Sequence, residues 1–159
     1  MHQLVLFIHK QSGPVGIRLQ EMIRLHFSNI PQELCPGLSM LRERLMYPES
    51  NEQPVIYILL ADSRNRLNQL HDLHGHLKGR RLILILPDSH MATRSIGLRL
   101  LPRFLSYAND NFYDLIAVIG KMIGVSIDNQ PDFEITGVFG FSDSKKTEAT
   151  RGIQKAKDQ

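Results

Sequence analysis

VIYILLAD, residues Val55 to Asp62, is apolar at seven consecutive positions and then stops on a carboxylate. A strand with one wet face alternates apolar and polar side chains, so an unbroken apolar run predicts a strand buried on both faces, as in the middle of a parallel sheet. RLILIL, Arg81 to Leu86, repeats the pattern downstream. Between the two runs, Ser63 is placed to cap a helix whose Leu67, Leu70, Leu73 and Leu77 form one apolar stripe, with Gly79 after it as a stop. Strand, helix and strand together read as a crossover unit.

The same alternation continues in both directions. Upstream, Leu4 to Ile8 is a first strand, and Gly13-Pro14 opens a helix bearing Val15, Leu19, Met22 and Ile23 on one face up to about Phe27. Ile30 to Leu34 is a weaker strand, followed by a Cys-Pro-Gly turn, a short helix with Leu38, Leu41 and Leu45, and a polar loop from Tyr47 to Gln53. Downstream, Ser89 caps a less regular helix from His90 to about Leu98, and Arg103 to Tyr107 is the fifth strand. Phe112, Leu115, Ile116, Ile119, Met122 and Ile123 then hold helical spacing over three turns before Gly124. Five strands alternating with five helices within residues 1–124 predict an α/β fold: a five-stranded parallel, flavodoxin-like sheet in the order 2-1-3-4-5, between two helical layers. Residues 125–159 change character, with Pro131, Gly137, Gly140 and Gly152 interrupting any period. They read as a partly ordered or flexible C-terminal extension, within which the apolar and aromatic FEITGVFGF, Phe133 to Phe141, offers the alternative of an added edge strand or a docking segment.

Composition narrows the function classes. The chain has 159 residues, enough for one domain with a real core, and its 42% hydrophobic and 22% charged content is ordinary for a globular protein. Its longest apolar run is far short of the ~20 residues a membrane-spanning helix needs, and its first residues lack the features of a secretory signal, so a cytoplasmic location without membrane contact is expected. With Cys35 as the single cysteine, an intrachain disulfide and a thiolate metal cluster are excluded, and that residue reads as packing or turn. A net charge of +3, partly in the tail, and the loose crowd Arg80, Arg81, Arg94, Arg99 and Arg103 do not form the basic stripe of a nucleic-acid surface.

Ligands of doubly wound sheets bind outside the carboxyl ends of the strands. Here those ends carry His9 and Lys10, then Asp62, then Pro87 and Asp88, then Tyr107. With this order of elements the chain, over residues 3–124, resembles the receiver domains of two-component response regulators. That resemblance implies an acidic pair after the first strand, a phosphoacceptor aspartate after the third, a hydroxyl after the fourth and a Lys-Pro pair at the fifth. His9 and Lys10 stand in place of the acidic pair, Asp62 keeps the acceptor position, Leu86 or Pro87 replaces the hydroxyl, and Tyr107-Ala108 replaces Lys-Pro. Phosphoryl transfer to a carboxylate needs a divalent cation held by hard oxygen ligands, and Lys10 is a cation where two anions belong. It is expected to repel Mg²⁺ and to pair with Asp62.

The expectation is a non-catalytic pseudo-receiver of bacterial-type signalling, not an enzyme, with no cofactor or bound metal. Its use is recognition of a protein partner or a second copy. The resemblance places that interface on the penultimate helix, fifth strand and last helix, at Arg94, Arg99, Arg103, Asp110 and Asp114. Two rivals stand beside it: a receiver still phosphorylated on Asp62, and a small-anion or nucleotide site at Lys10 and the turn from Ser12 to Gly16. The glycines of that turn match neither dinucleotide nor P-loop spacing. In HDLHGH, His71 and His74 lie about 60° apart on a helix turning ~100° per residue, while His76 points away, so the three do not share an ion. There is no G-x-S-x-G element, and Asp62 and Asp88 read as structural or capping carboxylates.

Overall fold

The structure is a computed structural model that describes residues 1–125. A first compact unit spans Met1–Val118. Within the first unit, strands β1 (Gln3–Phe7), β2 (Gln32–Cys35), β3 (Val55–Leu60), β4 (Arg81–Leu86) and β5 (Phe104–Tyr107) form one sheet in the order β2-β1-β3-β4-β5. Every pairing is parallel, with Phe7 opposite Leu59, Leu60 opposite Ile85 and Leu86 opposite Tyr107. This is the flavodoxin-like three-layer arrangement expected from the two apolar runs, and every residue of β3 is buried.

Alternate side chains of the strands serve opposite faces. Val5, Phe7, Tyr57, Leu59, Leu82, Leu84 and Leu86 form a core with α2 (Leu38–Met46), α3 (Arg64–His71), α4 (His74–Leu77) and the end of α5 (Met91–Leu98). The other face receives α1 (Pro14–His26), whose Leu19 and Ile23 are fully buried. Two glycines set how closely helices approach. A Cβ on Gly16 would come within 2.7 Å of Ile8 Cγ2, and one on Gly97 within 2.9 Å of Leu86 Cδ2, so α1 and α5 lie on the sheet where a larger residue has no room.

Several boundaries differ from the sequence reading, each for a local reason. The second strand begins at Gln32 and ends on Cys35 because Cys35, not Leu34, points inward: it is fully buried, and burial pushes its thiol pKa up to about 11. The predicted third helix is two. The His71 carbonyl is taken by His74 Nδ1 at 2.9 Å, and the Leu73 amide bonds Leu70 three residues back, which breaks the regular ladder while keeping Leu67, Leu70, Leu73 and Leu77 buried. Ser63 caps α3 as expected, accepting from the Arg66 amide at 3.1 Å. Ser89 does not cap α5; Asp88 Oδ1 accepts the His90 amide instead, at 2.9 Å. The last helix, α6, runs Tyr113–Ile123, its start held by the Tyr113 amide on Asn111 Oδ1. The expected edge strand or docking segment at Phe133 to Phe141 lies outside the described residues. Among the described residues no helix is long and apolar enough to cross a membrane.

Candidate functional site

The parallel register brings the loops after β1, β3, β4 and β5 to one end of the sheet. His9 and Lys10 follow β1, Asp62 follows β3, Pro87 and Asp88 follow β4, and Tyr107 closes β5. The third-strand carboxylate is engaged on both oxygens. Ser12 Oγ donates to Asp62 Oδ2 at 2.9 Å, and Arg66 Nε donates to Asp62 Oδ1 at 3.2 Å. The two side chains of this ion pair are only 16% and 13% exposed, so solvent screens it less than a surface pair. Arg66 is fixed in turn by Gln69 Oε1, which accepts from its Nη1 at 3.2 Å.

The expected pairing of Lys10 with Asp62 is corrected. Lys10 is exposed and makes no ion pair or side-chain hydrogen bond among the described residues, and the guanidinium of Arg66 occupies the place assigned to it. The reason is spacing: Arg66 lies one helical turn beyond Asp62, the i,i+4 arrangement with the acid first that a helix start favours. His9 belongs to the same corner. Its Nδ1 accepts the Gln11 amide at 3.1 Å, so its proton sits on Nε2. Its pKa lies below the ordinary 6.5 through burial first, then Arg66 and Lys10, with Asp62 opposing.

The fourth-strand carboxylate is a separate cluster. Asp88 accepts from the Thr93 hydroxyl and the His90 amide, and these hydrogen bonds hold its pKa below the usual carboxylate value. Thr93 is fully buried and also receives Arg64 Nη2 at 2.9 Å, so the start of α3 is bonded through α5 to the β4 loop. Asp62 and Asp88 are therefore engaged separately, Asp62 by Ser12 of the loop after β1 and by Arg66 of α3, and Asp88 by Thr93 and the His90 amide. Tyr107 contributes its amide, at 3.1 Å from Asp110 Oδ2, and Pro87 is half-buried with no polar role.

On the proposed interface, Arg94, Arg99 and Arg103 are exposed and form no ion pairs among the described residues. Asp110 is engaged internally, its Oδ2 accepting from the Ser106 hydroxyl and the Tyr107 amide and its carbonyl from Arg18 Nη2 at 2.9 Å. Asp114 has its pKa raised, by burial first and by Asp110 second. His71 and His74 stack with ring centroids 5.2 Å apart, and among the described residues no three His, Cys, Asp or Glu side chains are grouped to hold a metal ion.

Sequence reading missed Ser12, Arg64, Thr93 and Arg18 as members of these clusters. Arg66 was missed as well, although its i+4 spacing from Asp62 is a signal that could have found it, whereas Ser12 reaches Asp62 across fifty positions and carries no local signal. No family model matches this chain, and neither a curated protein nor a solved structure matches it.

Proposed function

We propose that this protein is a non-catalytic, receiver-like interaction module whose aspartate at the third-strand end is a structural group and not a phosphoacceptor. What carries the reading is the double engagement of Asp62 by the Ser12 hydroxyl and the Arg66 guanidinium. An acceptor carboxylate must present a free oxygen to phosphorus while a divalent cation offsets charge on the phosphoryl oxygens. Here one oxygen is covered by a hydroxyl and the other by a cation, and the neighbouring positions supply His9 and Lys10, neither of which is a hard anionic ligand. A neutral His9, kept so by its loop, adds no negative charge. With phosphoryl chemistry set aside, the use we infer for the domain is protein recognition, through the surface that carries Arg94, Arg99 and Arg103.

Incubation of the full chain with a small acyl phosphate and Mg²⁺, followed by intact mass measurement, tests the reading. The expected spectrum is unchanged. A gain of one phosphoryl group that disappears in Asp62→Asn would establish the rival, a working receiver.

A further inference from the structure

We propose that the exposed face of α5, with the turn that follows it, is a docking surface for an acidic amphipathic segment of a partner protein. This rests on the reading of the chain as an interaction module and names the chemistry of what it binds. Met91, Leu98 and Leu101 are 82%, 51% and 74% exposed. At ~100° per residue Met91 and Leu98 fall within about 20° of each other, seven positions apart on one stripe, with Arg94 about 40° beyond Leu98. Leu101 adopts φ 55, a left-handed conformation that costs a leucine on the order of 1–2 kcal/mol. The conformation belongs to the turn that ends α5, where the Leu101 amide donates to the Leu98 carbonyl at 3.0 Å, and it leaves the leucine side chain in solvent just beyond the helix.

Charge identifies the occupant. From Ser89 to Asn109 the chain has Arg94, Arg99 and Arg103 and no aspartate or glutamate. None of the three arginines finds a carboxylate among the described residues. On α1, where Ile17 and Leu25 are also exposed, Glu21 and Arg24 pair with each other and Arg18 is held by the Ala108 and Asp110 carbonyls. A second copy of this chain is a poor match, because a two-fold contact sets this patch against itself. Asp110 already accepts two hydrogen bonds on Oδ2, from the Ser106 hydroxyl and the Tyr107 amide, and Asp110 and Asp114 together are two acids against three arginines. Nucleic acid would reward the arginines and leave the three apolar side chains without a contact. A membrane surface favours a longer helix with basic groups outside the apolar stripe, whereas Arg94 flanks Leu98 on the face itself. A helix or extended segment with apolar anchors at i, i+3 or i+4 and i+7 and carboxylates between them satisfies both sets of groups.

The test is a nuclear magnetic resonance titration of the ¹⁵N-labelled full chain. The probe is a synthetic helical peptide with leucines at i, i+3 and i+7 and glutamates between, and its twin has lysine for every glutamate. Saturable amide shifts confined to residues 91–104 are expected with the glutamate peptide and absent with the lysine peptide. Arg94→Glu with Arg99→Glu is expected to weaken binding at least about tenfold, equal to about 1.4 kcal/mol, and Leu98→Ser gives a second, uncharged variant. Equal shifts with both peptides, shifts elsewhere on the domain, or α5 shifts produced only by duplex DNA, phosphatidylglycerol vesicles or self-association would overturn the proposal. Phosphorylation of Asp62 would refute the reading of the third-strand end and leave this result standing; a silent titration does the reverse.

Discussion

His9 sits where the chain leaves the sheet, and a backbone amide holds its imidazole in one state. Protonating Nδ1 would break the bond from the Gln11 amide and place a cation beside Arg66 and Lys10, so the folded protein keeps His9 neutral below the ordinary 6.5. The consequence for stability follows from linkage. Below pH 6.5 the unfolded chain binds this proton and the folded one does not, so the contribution is complete above about pH 6.5 and declines as pH falls toward the lowered native value. His2, lowered by burial first and Arg81 second, acts with the same sign, so His9→Gln is expected to flatten the acid-side loss of stability only in part. Proton resonance titration of the His9 ring is expected to give a midpoint below 6.5; a midpoint at or above that value would contradict the geometry. At this scale the sequence is readable where partners lie one helical turn apart, as Asp62 and Arg66 do. It misleads where a chain neighbour of the strand, Lys10, carries the right charge on a side chain that stays in solvent.

Among elements, one tie seen only in three dimensions is made by Arg18 of α1. Its Nη2 donates to the carbonyls of Ala108, at 2.7 Å, and Asp110, and its guanidinium lies 4.7 Å from the ring centre of Phe112. Phe112 is buried with φ 69, so the β5–α6 loop is held in a conformation that a phenylalanine does not adopt unaided. Arg18→Met keeps the aliphatic stem and removes the donors. Because the side chain is exposed, the expected loss is about 1 kcal/mol in urea unfolding. Hydrogen exchange is expected to quicken at residues 108–112 and stay unchanged at the centre of β3. Uniformly faster exchange would mean that Arg18 supports the whole fold and not this loop. The break between α3 and α4 teaches the converse point: four leucines at helical spacing reported burial correctly, but not that His74 would compete for the His71 carbonyl.

For the whole molecule, the sheet order was legible because β3 and β4 are buried on both faces, and because crossover connections leave few topologies once central strands are known. The chemistry at the end of the sheet was legible only as a set of positions. Register delivers His9, Asp62, Asp88 and Tyr107 to one end, but what each does is decided by contacts such as Ser12 to Asp62 and Arg64 to Thr93, which join segments far apart in the chain. The charge balance of the surface lies between these cases: the stretch 89–109 shows its unrelieved arginines in the sequence, and the fold adds that apolar side chains stand beside them. The account turns on Asp62 being occupied by its own protein. The direct measurement is a Mg²⁺ titration of the full chain, labelled at aspartate ¹³Cγ and with the Asp62 signal assigned through Asp62→Asn. An Asp62 resonance that stays in place through millimolar Mg²⁺ is the predicted result, and a saturable shift of that resonance contradicts the account.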